Sequence, residues 1–293
     1  MPDASVIANE PQGHVASDVG DVAIRTLATT GDFRACVTLQ REIWGREFED
    51  IVPASLLHVA THVGGVALGA FDAERLVGFV FGLAGEVSGE RVHWSHMLGV
   101  AEGARDRGIG RRLKEQQRLV LARRGIAKMY WTFDPLQARN AHLNLTRLGV
   151  HVVDYVADMY GPMGSPLHHG LATDRLIVMC HTVPALTDHA RRAFPGLATL
   201  EGAPVLSAAP RAHDRRLEST GDEPPVALIE IPADLPQVVQ ASPESAAEWR
   251  LATRAHFQWA FGRGYQVAGF RRDPVTARSF YVLTRSHTHE DMV

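Results

Sequence analysis

The stretch that most constrains the fold runs from Val92 to Arg123. Val92-His93-Trp94-Ser95-His96-Met97-Leu98-Gly99-Val100 has strand character. It feeds Arg105-Asp106-Arg107-Gly108-Ile109-Gly110, and a helical pattern follows from about Gly108 to Arg123. A helix that starts just beyond a strand presents backbone N–H groups with no partner inside the helix. Those groups and the helix dipole make a seat for an anion. Gly108 and Gly110 carry no Cβ, so a phosphate can approach the main chain closely. Arg105, Arg107, Arg111, Arg112 and Lys114 add positive charge around the loop. Neither GxxxxGK[ST] nor GxGxxG is present, and an ordinary strand-to-helix turn is the competing reading.

The elements around this stretch set the fold class. Val22 to Leu27 reads as a strand. Gly31-Asp32 offers an N-cap for a helix marked by Phe33, Val37, Gln40, Arg41 and Trp44. A second helix is expected from Pro53 to His62. Val66 to Phe71 and Leu76 to Leu83 form a hairpin pattern around Asp72-Ala73-Glu74-Arg75. Ala127 to Phe133 is a strand, Ala138 to Leu148 a helix stopped by Gly149, and Val150 to Tyr155 a strand. The order β-α-α-β-β-β-α-β-α-β predicts an α/β fold: a mixed sheet with helices on its faces.

Beyond Leu176 to Cys180, a short strand, regularity drops between about 185 and 222. It returns at Val226 to Ile231. Ser242 as N-cap with Pro243 behind it starts a helix carrying Trp249, Ala252, Thr253, His256, Phe257 and Ala260 at helical spacing. Tyr265 to Phe270 and Ser279 to Leu283 complete a smaller α+β region. The expected organisation is a tail over 1–20, a larger α/β domain over 21–184, a connection over 185–225 and a smaller α+β C-terminal region over 226–293.

Composition narrows the class. A net charge of −3 over 293 residues gives no bulk attraction to nucleic acid or anionic lipid. Cys36 and Cys180 have no spacing that suggests a disulfide framework or a zinc site, so no metal is expected. No apolar run approaches a membrane span, and Met1-Pro2-Asp3 does not open a signal peptide. A cytoplasmic protein is expected, with a homodimer as the common form of soluble assembly.

The stretch HMLGVAEGARDRGIGRRLKEQQR resembles the acyl-CoA-binding motif of the GCN5-related N-acetyltransferase (GNAT) superfamily. There a strand ends in an apolar-x-Val unit, and R/Q-x-x-G-x-G/A enters a helix. Arg105, Gly108 and Gly110 fill those positions, and the element order agrees over about residues 22 to 158. SHMLGV, WTFDPLQARNAHLNLTRLGV, GLATDRL, IEIPAD, AEWRLATRAHF and GYQVAGF further resemble a subgroup of acyltransferases with a C-terminal extension, some of which act in amino-acid N-acylation.

The resemblance implies an N-acyltransferase that uses acetyl-CoA or another acyl-CoA, succinyl included, and acts directly on the amine of a small molecule, an amino acid. It implies that Leu98, Gly99 and Val100 bond the pantetheine arm, and that main-chain N–H groups of Arg107, Gly108, Ile109, Gly110 and Arg111 hold the pyrophosphate. It also implies that the strands Val92 to Val100 and Ala127 to Phe133 splay at the thioester.

Amine acylation needs a base, a holder for the oxyanion and a proton for the leaving thiolate. His96 matches a base-relay histidine of arylalkylamine-type members, and imidazole suits a base at neutral pH. A histidine in the pocket wall is the alternative. Strand alternation puts Trp94, His96 and Leu98 on one face and His93, Ser95 and Met97 on the other. Glu86 is a second candidate base. Leu145 stands where the family offers a tyrosine, which leaves Tyr155 and Tyr160 as candidate acids and a catalytically silent CoA-binding or regulatory module as the rival function. Asn140 and Asn144 fall four apart on one helix face, where they could bond the pantetheine or the thioester carbonyl. Arg139 and Arg175 are candidates for an acceptor carboxylate, with surface ion pairs as the alternative.

Overall fold

The computed structural model describes residues 22–161, 170–183, 200, 202–209 and 223–285. The tail over 1–20, most of the segment over 185–225 and His168, His169, His287 and His289 lie outside the described residues.

Two sheets share one core. The larger has the strand order β1-β2-β3-β4-β5-β7-β6. Its strands are β1 (Val22–Thr26), β2 (Val66–Asp72), β3 (Arg75–Val87), β4 (Glu90–Val100), β5 (Lys128–Phe133), β6 (His151–Val156) and β7 (Arg175–His181). The pair β4–β5 is parallel and every other pair in this sheet is antiparallel.

Helices α1 (Thr30–Trp44) and α2 (Ala54–His62) cover one face, where a Cβ on Gly99 of β4 would run into Ile43 and Trp44. Helix α3 (Ile109–Arg123) covers the other. There a Cβ on Gly78 of β3 would press on Ile109 and Leu113. Phe79, Phe81, Leu68 and Leu113 are almost wholly buried between these layers. Each such side chain contributes about 1.5–3 kcal/mol by leaving water.

Three local readings differ from the sequence expectation. Helix α1 is capped by Thr29, not by Gly31-Asp32. The Thr29 side chain accepts from Asp32 N, and the Asp32 carboxylate accepts from Thr29 N, a reciprocal capping box that Arg25 reinforces. The helix after β5 is α-helical only over α4 (Ala138–Ala141) and continues as a π-helical segment, His142–Leu148. Gly149, in the left-handed conformation, ends it as expected. Finally, β4 is bulged. Phe81 pairs with Met97 but Gly82 pairs with Ser95, which leaves His96 as an extra residue. Alternation therefore changes phase at His96. His93, Ser95, Leu98 and Val100 point toward α3, and Trp94, Met97 and Gly99 toward α1 and α2.

The second sheet has the order β10-β11-β9-β8, made of β8 (Val205–Leu206), β9 (Val226–Ile231), β10 (Tyr265–Arg272) and β11 (Ser279–Arg285). It is covered by α5 (Leu235–Ala241) and α6 (Pro243–Gly262). Ser242 caps α6 by accepting from Ser245 N, as the sequence predicted. Helix α5, which the sequence expectation lacks, is signalled by Asp234, which accepts from Gln237 N, with Pro236 in its first turn. The two sheets are fused by apolar packing and by the Tyr281 hydroxyl, which donates to Pro135 O at 2.7 Å just beyond β5.

Candidate active site

Helix α3 opens without a cap. Gly108 precedes it with φ 72°, in the left-handed region, and has no side chain to cap the first turn. The N–H groups of Ile109, Gly110 and Arg111 consequently have no acceptor in the helix, and the first intrahelical bond runs from Arg112 N to Gly108 O. A Cβ on Gly108 would meet nothing within 4 Å, and one on Gly110 would touch only Leu98 and Val100 at 3.6 Å and 3.9 Å. The seat is thus open, positively polarised and lined by main chain.

The arginines around it are not equivalent. Arg105 donates to Val100 O and ties the loop to the end of β4. Arg107 pairs with Asp72, and Arg111 with Glu115, both in exposed ion pairs worth little in isolation. Arg112 reaches back to Val22 O on β1. Arg139 pairs with Asp106 of the same loop, both largely in solvent, so it stands beside the anion seat and away from the fork.

Strand β4 runs from this seat down to a fork. It pairs with β5 only at Val92–Lys128, His93–Met129 and Trp94–Tyr130. From Ser95 and Trp131 onward the two strands part, and among the described residues the β5-facing edge of Ser95–Val100 has no strand partner. The bulged His96 lies at this opening, with its ring edge-on to Phe81 at 6.3 Å. It is solvent-exposed, with enough protein around its ring to desolvate it in part. That surround lowers its pKa below the ordinary histidine value, and Asp50 pulls weakly the other way. Asp50 sits in the α1–α2 connection, which Gln40 pins by bonding both Val52 N and Val52 O.

The α3 side of the fork holds a buried polar chain that the sequence reading missed. The Lys114 ammonium donates to Ser95 Oγ at 2.7 Å, the Ser95 hydroxyl to Gln117 Oε1 at 2.7 Å, and Gln117 Nε2 meets His93 Nε2 at 3.1 Å. Lys114 also lies 4.1 Å from the centroid of the Trp131 ring. Lys114 thus faces the core and not the phosphate seat. The signal was available: Lys114 and Gln117 share the inner stripe of α3 with Leu113 and Leu121. Burial lowers the Lys114 pKa to about 7 and that of His93 to about 4.

Asn140 and Asn144 do not act as a pair. Asn140 is exposed, whereas Asn144 is buried and accepts from Trp131 Nε1 at 2.9 Å. The π-helical turn puts Leu145 and Leu148 in the core.

Tyr155 is also removed from the fork. Its hydroxyl donates to Asp174 at 2.5 Å and its ring stacks on Phe257 of α6, so its proton is already committed and its pKa lies well above the ordinary value. Asp174 binds Arg254 through both oxygens, and Arg250 donates to Asp134 at 2.7 Å. Arg250 and Arg254 therefore join α6 to the ends of β5 and β7. Tyr160 sits on the open face of the sheet, where its hydroxyl is 3.2 Å from Thr132 Oγ1 and the Arg175 guanidinium lies over its ring at 5.2 Å. Arg175 is mostly buried and 3.9 Å from Asp134. Glu86 lies at the solvent-exposed far end of β3, opposite Arg91. A separate cavity of about 560 Å³ between β6, β7 and β10, lined by His151, His181 and Tyr265, is two strands away from the fork.

An uncapped helix mouth, a strand edge leading from it and a fork at the end of that edge fit an acyl-CoA. Residues 33–149 match the acetyltransferase (GNAT) family. They form a GNAT domain.

The co-substrate of this family is acetyl-CoA. No curated protein matches the chain. Among solved structures the chain is similar to the ribosomal-protein-S18-alanine N-acetyltransferase from Escherichia coli, at 17% identity over 55% of this chain and 94% of that one, with a TM-score of 0.44. It is similar to an aminoglycoside 6'-acetyltransferase type Ii at 20% identity over 55% and 97%, with a TM-score of 0.43. It is also similar to Ard1 from Thermoplasma volcanium, at 12% identity over 56% and 99%, with a TM-score of 0.43. Within the GNAT domain, the open mouth of α3 suits the diphosphate of CoA, and the free edge of β4 suits the amides of its arm.

Proposed function

We propose that the chain is an acyl-CoA-dependent N-acyltransferase that moves an acetyl or succinyl group directly to the amine of a small molecule, an amino acid. The observation that carries this reading is the fork. Among the described residues, the one parallel pair of the larger sheet opens after Trp94, next to a helix whose first N–H groups have no acceptor within the helix.

The roles follow from position. Main-chain N–H groups of Ile109, Gly110 and Arg111 take the diphosphate, with Arg107 and Gly108 shaping the loop. Leu98, Gly99 and Val100 bond the arm as an added strand. His96, held below the usual histidine pKa and therefore neutral at pH 7, removes a proton from the acceptor ammonium directly or through water. The nitrogen attacks the thioester carbonyl, and unpaired main-chain N–H groups at the bulge hold the oxyanion. Arg175, on the open face beside Tyr160 and Thr132, takes the acceptor carboxylate. Tyr160 helps to orient it.

Thiol release is the deciding assay, with acetyl-CoA and succinyl-CoA against a panel of amino acids and matched amines without a carboxylate. Turnover is expected with at least one acid, and Arg175→Ala should raise KM for that acid more than for its matched amine. His96→Ala should lose rate across pH. CoA that binds in calorimetry with no turnover of any pair would favour the silent binding module, for which the buried apolar Leu145 speaks.

A further inference from the structure

The buried polar chain under the fork has no part in the roles above. It rests on one lysine. Lys114 is only 5% exposed, and among the described residues no Asp or Glu pairs with it. An ammonium has three N–H donors. One goes to Ser95 Oγ, one side of the group faces the Trp131 ring, and no acceptor among the described residues takes the remainder. Ser95 and Trp131 are the first residues beyond the last β4–β5 pair, so the ammonium lies in the crotch of the fork.

Its height along β4 matters as much. Gly110 faces Leu98 and Val100, and one helical turn later Lys114 faces Ser95. At roughly 3.3 Å per residue, Ser95 lies about 16 Å down the strand from Val100. An extended arm with two amides, held by its diphosphate at the mouth of α3, ends its sulfur at that level.

We propose that Lys114 protonates the CoA sulfur as it leaves. The inference rests on the acyl-CoA reading of the fork. The C–S bond of the thioester breaks, its electron pair stays on sulfur, and a proton passes from Lys114 Nζ to that sulfur. Two protons leave the acceptor ammonium. One replaces the proton that Lys114 gave, and the other goes to water.

The groups that face Lys114 are His93 and Ser95 of β4, Trp131 of β5, Cys180 of β7, and Gln117 and Arg118 of α3. None of them is an Asp or Glu, and burial, the dominant influence on Lys114, outweighs the upward pull of Cys180. With a pKa of about 7, against about 8.5 for an ordinary thiol, the transfer runs downhill. The acid form is present below that pKa and is lost as pH rises through it.

The test is the pH profile of kcat for the wild type and Lys114→Met, with acetyl-CoA and the best acceptor from the panel. The wild type should show a limb that falls as pH rises through about 7. Lys114→Met should lose that limb and about 10²–10⁴-fold in kcat. Its CoA affinity in calorimetry should stay within threefold of wild type, which a collapsed site would not allow. If Lys114→Met does not fold, Lys114→Arg serves: it keeps a cation that gives up no proton, and should lose rate as strongly. A variant with kcat within threefold of wild type, or with the falling limb intact, overturns the role of Lys114 and leaves the site reading standing. Wild-type protein that binds no CoA overturns both.

Discussion

The two edges of β5 have opposite designs. Toward β7 it is paired along its whole length, Lys128 to Phe133, in antiparallel register with His181 to Leu176. Beyond that ladder the joint is locked by Arg250–Asp134, Arg254–Asp174 and the Tyr155 hydroxyl, all supplied or backed by α6. Toward β4 it is paired over half its length and then abandoned, with a lysine, a serine and a tryptophan at the point of parting. Both edges bury charge, but only the closed edge pairs cation with carboxylate. A closed joint built for strength needs that pairing. The open edge leaves its lysine without a carboxylate partner among the described residues.

The largest expected effect falls on the closed edge. Arg250→Met removes the 2.7 Å cationic partner of the mostly buried Asp134, leaves it only Arg175 at 3.9 Å, and should cost about 3–5 kcal/mol in urea unfolding. A loss below about 1 kcal/mol would mean that the joint is not what holds the sheets together. On the open edge, Asn144→Leu removes the acceptor of Trp131 Nε1 and should cost about 1–3 kcal/mol. If stability is unchanged, the wall of the fork does not depend on that bond.

Lys114 gives the sharpest contrast in sign. Its folded pKa is depressed, so between about pH 7 and the unfolded value near 10.4 the unfolded chain binds more protons. Stability should therefore rise with pH, by no more than about 2 kcal/mol from pH 7 to 8.5. The rise should vanish in Lys114→Met, and denaturation at several pH values would show it. Identical slopes for the two proteins would mean that the lysine stays charged in the fold. The smallest effect is at the mouth. Gly108→Ala should cost about 1 kcal/mol through its left-handed backbone and should also weaken CoA binding, because that turn aims the free amides. A stability change without a binding change would place the diphosphate elsewhere.

Much of the GNAT domain was legible because it is written locally. Glycine at 108 fixes the turn, the inner stripe of α3 has helical period, and the short hairpin between β2 and β3 follows from its turn residues. The bulge at His96 was not legible. Its register depends on β3, and one extra residue inverted the expected faces of Leu98 and Met97. Nor was the partition of Asn140 from Asn144, which the π-helical turn decides. Arg250 and Arg254, four apart on α6, could by spacing face either solvent or the cleft, because their carboxylates lie more than seventy residues earlier in the chain.

The sequence by itself determined the order of elements, the uncapped helix after β4 and the glycines that keep it open. These depend on backbone conformation and periodicity within a few residues. The tertiary structure alone decided where β4 and β5 part and which charges are paired across the joint. It also decided that Lys114 is turned inward. Those outcomes depend on register and burial, which exist only once distant segments have packed.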